Sequence, residues 1–102
     1  MDSERLDALR QEAADAAVRW AKTGNGFSEM EAAVNLYAEV MGSNRAIGND
    51  PEAIRLSREV AALQVNIDCI HALTKDQEQR LHDTLMRIAE EGVPRPRRGL
   101  LR

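Results

Sequence analysis

The sequence predicts an all-α protein: a compact bundle of about four helices, over approximately 3–23, 28–41, 51–73 and 75–91. Three observations carry that prediction. Apolar residues recur at three- and four-residue steps, the spacing that gathers side chains on one face of a helix. Helix start and stop signals separate the runs. No stretch alternates as a half-buried strand would, and no internal repeat is present. The 102 residues suit a single domain, and a core of that size folds independently. Residues 1–92 are read as that domain and residues 93–102 as a flexible basic Pro/Arg tail.

In the first run Leu6, Leu9, Ala13, Ala16, Ala17 and Trp20 share a face. Its Ala-rich middle lets another backbone come close. Gly24 is a left-handed terminator, and Asn25-Gly26 continues the turn. Ser28 with Glu31 reads as a capping box opening the second helix, with Phe27 placed to staple onto Ala32. Met30, Ala33, Val34, Tyr37, Val40 and Met41 form its apolar stripe, and Gly42 is expected to stop it.

Asp50-Pro51-Glu52 opens the third helix with a carboxylate at the cap and proline at the first helical position. Leu56, Val60, Leu63, Ile67 and Ile70 alternate four- and three-residue steps on one seam, while Ile54, Ala61, Val65, Cys69, Ala72 and Leu73 cover much of the other side. A helix apolar around most of its circumference is central in its bundle or faces a second chain. Thr74 with Gln77 forms another capping box, so a sharp corner should join the third and fourth helices. The fourth turns Leu81, Leu85 and Ile88 inward, carries Asp83 and Arg87 as an i,i+4 pair, and ends before Gly92 and Pro94.

Composition narrows the function. The net charge of −3 separates into +4 over residues 93–102, which hold four arginines and no acid, and −7 over the rest. An acidic body resists non-specific binding to nucleic acid. The single cysteine excludes an intrachain disulfide and suits a reducing compartment. The N-terminal residues are polar, and the longest apolar run is Val60 to Leu63, so neither a secretory signal nor a membrane span is read. A cytoplasmic location is expected, without membrane association.

Three constellations bear on chemistry. Ser57, Gln64, Asp68 and His71 form a polar arc on the third helix. Asp68 and His71 are i,i+3 neighbours, an arrangement used in general-base and metal sites. The alternative, favoured on the general need of surface helices for a polar side, makes the arc a solvent face. Cys69, His71 and His82 lack the paired spacing of zinc ligands, and Cys69 on an apolar flank reads as a small hydrophobe. Glu78 and His82 are an i,i+4 pair of an ordinary kind. Neither a metal nor a cofactor is expected.

The loop from Gly42 to Asn49 carries Arg45 ahead of a helix N-terminus, but it has no Walker or dinucleotide fingerprint, and Asp50 would repel an anion there. Arg95, Arg97 and Arg98 in the tail would attract phosphate or an acidic protein surface, and Leu100 and Leu101 offer it an apolar anchor. A solvated, frayed end is the competing reading of the same residues.

The leading functional expectation is a non-enzymatic helical interaction module, an accessory, adaptor or inhibitor protein. It would bind another protein and self-associate as a homodimer or higher oligomer through Leu56, Val60, Leu63, Ile67 and Ile70. The alternative is a binder of nucleotide or RNA phosphate using Arg45, Arg95, Arg97 and Arg98, and a further one a small helical enzyme using Asp68 and His71. In size, acidic body and lack of catalytic motifs the chain resembles many small accessory proteins, among them inhibitors, antitoxins and secretion chaperones. That resemblance is compositional and attaches to no particular residue.

Overall fold

A computed structural model describes residues 2–44 and 50–91. Four helices follow one another: α1 (Asp2–Thr23), α2 (Phe27–Asn44), α3 (Pro51–Cys69) and α4 (Lys75–Glu91). A single 3-10 turn, Ile70–Ala72, extends α3 before the corner, so the long third helix expected to run to Leu73 is regular only as far as Cys69. Every described element is helical. Arg45 and the tail, including Arg95, Arg97 and Arg98, lie outside the described residues.

The helix ends follow local chemistry, with two departures from the sequence reading. Gly24 adopts φ 78°, and its N–H returns to the Trp20 carbonyl at 2.7 Å. Thr23 Oγ1 donates to the Arg19 carbonyl at 2.7 Å and accepts from the Asn25 N–H at 3.0 Å. Gly26, at φ 86°, then takes the cap of α2, its carbonyl accepting from the Met30 N–H at 3.0 Å. The helix therefore begins at Phe27, one residue before the expected capping box, and Ser28 falls inside its first turn. Phe27 packs edge-on against Trp20, with ring centroids 6.4 Å apart and planes at 63°, which joins α1 to α2 across the turn.

The second departure is at Gly42. It does not stop α2, which continues to Asn44. A Cβ at position 42 would stand 3.2 Å from Ser57 Oγ, so the glycine lets α2 and α3 approach where any larger residue would crowd the contact. The caps of α3 and α4 form as the sequence predicts. Asp50 Oδ1 accepts from the Glu52 N–H at 3.1 Å, with Pro51 at the first helical position. At the corner the Thr74 N–H donates to Gln77 Oε1 at 3.0 Å, and the Gln77 N–H to Thr74 Oγ1 at 3.2 Å.

The core lies where the four helices meet. α1 contributes almost only alanines: Ala13, Ala14, Ala16, Ala17 and Ala21. The bulk comes from Met30, Val34, Tyr37 and Met41 on α2 and from Leu81, Leu85 and Ile88 on α4. α3 faces this core with its smallest residues, burying Ser57, Ala61, Ala62, Val65 and Cys69. Small side chains at a crossing let helix axes come closer than large ones allow, and close approach recovers dispersion energy that thin side chains would otherwise forfeit.

Arg58 fastens this arrangement. Its Nε donates to the Ala89 carbonyl at 2.8 Å, and its Nη2 donates to the Ile88 carbonyl at 2.7 Å and to Asn35 Oδ1 at 2.6 Å. The last carbonyls of a helix have no partner within it, and a guanidinium there satisfies them while meeting the negative end of the helix dipole. One side chain thus ties α2, α3 and the end of α4 together.

Candidate functional site

With its small residues turned inward, α3 turns its large ones out. Leu56 is 49% exposed, Val60 40%, Leu63 39%, Ile67 60% and Ile70 45%. At 100° per residue these five lie within an arc of about 80°, diametrically opposite the residues α3 buries. Together they form one unbroken aliphatic row on the surface of the chain, and an apolar patch of this kind is often functional.

The two flanks of the row are polar. On one, Arg55 bridges two acids on its own helix, with Nη2 2.6 Å from Glu52 Oε2 and Nη1 3.2 Å from Glu59 Oε1. The hydrogen bond from Arg55 holds the Glu52 carboxyl below the usual carboxylate range. Behind this ladder a shallow groove of about 210 Å³ separates α3 from α4, lined by Arg55, Glu59, Met86, Ala89 and Glu90.

On the other flank the polar arc departs from its sequence reading. Ser57 is buried rather than solvated, and its Oγ has no hydrogen-bond partner among the described residues. Gln64 Nε2 donates to Asp68 Oδ1 at 3.1 Å, and Arg10 Nε of α1 lies 3.1 Å from Asp68 Oδ2. Both Asp68 oxygens are therefore engaged without His71, which sits exposed on the 3-10 turn. Arg10 also stands against Tyr37, whose hydroxyl pKa burial raises while the Arg10 charge opposes the rise. The arc is therefore divided: Asp68 is tied to α1, Ser57 is buried beside Gly42 of α2 and His71 is exposed, so the Asp68–His71 pair considered as an alternative is not assembled.

Cys69 behaves as the small hydrophobe the sequence suggests. It is fully buried, its Sγ donates to the Ala14 carbonyl at 3.4 Å, and burial pushes its thiol up to about 11. A thiol so far from ionising is a poor nucleophile and a poor metal ligand. Among the described residues no three His, Cys, Asp or Glu side chains converge on a point that a metal ion could occupy. No helix among the described residues is long and apolar enough to cross a membrane.

The five interface residues named from sequence thus form one continuous face. The sequence reading missed Arg10, whose tie to Asp68 crosses from α1, and the Met86 groove, which exists only where α4 lies beside α3. It also passed over the Glu52–Arg55–Glu59 ladder, although i,i+3 and i,i+4 spacing was there to find it. No protein-family model, curated protein or solved structure matches the chain.

Proposed function

We propose that this chain is a non-enzymatic interaction module that acts by binding protein through the outer face of α3, and that it self-associates through that face. One observation carries the reading: Leu56, Val60, Leu63, Ile67 and Ile70 stand between 39% and 60% exposed in a single row. Covering such a row removes apolar area from water at about 25 cal/mol per Å². Leaving it bare favours association with any complementary apolar surface. The ladder of Glu52, Arg55 and Glu59 along one edge supplies the polar rim that interfaces place around an apolar centre.

Sedimentation equilibrium on the purified protein tests this. Oligomers are expected for the unaltered chain at micromolar concentration. Ile67→Glu, which puts a carboxylate at the most exposed residue of the row, should weaken association by about 2 kcal/mol or more, roughly 30-fold. Arg87→Glu, a larger charge change at an exposed residue on α4, should leave association unchanged. Equal behaviour of the two variants would reject the α3 face as the binding element.

A further inference from the structure

The row also specifies how a second copy would sit on it. Its steps run four, three, four, three, which is the heptad alternation of d and a positions: Leu56, Leu63 and Ile70 at d, and Val60 and Ile67 at a. We propose that two copies of the chain pair through α3 side by side, parallel and in register, as a short two-stranded coil. The proposal rests on the α3 face being the binding element and adds the identity and orientation of what covers it.

Residue type sets the orientation. Within the regular helix, Pro51–Cys69, the a positions are β-branched and the d positions are leucine. In a parallel pair a packs on a and d on d, with different side-chain geometries, and β-branched a with leucine d is the combination that favours two strands. An antiparallel pair mixes a with d in every layer, so separating the two residue types would serve no purpose. Ile70, the one d position that is not leucine, lies in the 3-10 turn where the helix has already ended.

Area sets the register. From the exposed fractions of the five side chains, each copy offers roughly 450 Å² of seam, within the range of the largest apolar patch on a monomer. Two seams then bury roughly 900 Å², just below the about 1,000 Å² that a specific interface needs. All five residues and part of the rim must therefore engage. Sliding one copy by a heptad unpairs two of the five and falls well short. In register, Glu59 of one copy meets Gln64 of the other, so no like charges oppose one another at that point of the rim.

Disulfide trapping in a Cys69→Ala background tests orientation separately from association. Leu56→Cys alone should oxidise to a covalent dimer, because its d positions meet across the axis. Mixing Leu56→Cys with a mass-tagged Ile67→Cys, or Val60→Cys with a mass-tagged Ile70→Cys, should give no mixed disulfide. A mixed disulfide in either mixture, with none from Leu56→Cys alone, would overturn the parallel pair while leaving the α3 face in place. A monomer by sedimentation would overturn self-association itself, and a trimer or tetramer would overturn the two-stranded coil.

If Leu56→Cys fails to fold, spin-labelled Glu52→Cys at the exposed start of the helix replaces it. At a rise of 1.5 Å per residue, an antiparallel pair holds two such labels roughly 30–40 Å apart. The parallel pair should hold them within about 20 Å, since adjacent helix axes lie about 8–10 Å apart and each label adds its own length.

Discussion

The Cys69 thiol donates to the Ala14 carbonyl at 3.4 Å and is closed to water, and burial pushes its pKa up from 9.0 to about 11. At pH 8 only about one thiol in a thousand is ionised, so native protein should react with a thiol reagent only as it unfolds. Timed labelling with and without denaturant checks this. Because the folded pKa lies above the ordinary one, the folded state holds this proton more tightly. Its contribution to stability is complete below pH 9 and is lost as pH rises from 9 towards 11. Tyr37, also raised by burial, acts with the same sign at higher pH. Melting temperature should therefore fall across that window, and less steeply for Cys69→Ala.

Ser57 presents a different balance, since its buried Oγ has no partner among the described residues. An unsatisfied buried hydroxyl costs about 1 kcal/mol or more, so Ser57→Ala should raise the melting temperature by roughly 4–8 °C in a domain of this size. Arg58→Met should do the reverse, leaving the Ile88 and Ala89 carbonyls and Asn35 without their donor. The expected loss is about 2 kcal/mol, read from urea denaturation. The sequence places Asp68 beside His71, but the residue that takes the carboxylate comes from α1, at a distance along the chain that no local spacing reveals.

Among the helices, start and stop signals were legible wherever their chemistry is local. Asp50 caps α3 and the Thr74–Gln77 box caps α4 as read, because an N-terminal cap needs only residues two or three positions apart. Asp50→Ala should cost about 1 kcal/mol, measurable as a lower denaturation midpoint. The signal at Ser28 was equally clear and lost to Gly26, whose positive φ turns the chain into the helix one residue earlier. Gly42 misled for the opposite reason: its value lies in what it touches. Ser57 Oγ would stand 3.2 Å from any added Cβ, so the glycine answers to α3 and not to the end of α2. Gly42→Ala should accordingly be tolerated better in Ser57→Ala than in the unaltered chain, a coupling that a double-mutant cycle measures.

For the whole molecule, the proposed pairing through α3 would link folding to association. If the α3 row is covered by a second copy, melting temperature rises with protein concentration, since mass action favours the assembled state. Ile67→Glu should abolish that dependence while leaving the helical content of the dilute protein unchanged, because the side chain it replaces is 60% exposed within one chain. Circular-dichroism melts across a hundredfold concentration range would show both effects.

By itself the sequence determined the all-α class, four helices and their approximate ends, and the α3 row as a unit, since each follows from spacings within a few residues. Only the tertiary structure decided which side of α3 faces in. Periodicity marks that a helix has an apolar seam and an opposite flank of small residues, but both are compatible with a core. The choice depended on α1, whose buried face is nearly all alanine, and on Gly42 of α2. Such thin surfaces pack closest against Ser57, Ala61 and Ala62, and once those are buried the large aliphatics on the far side have nowhere to go but outward.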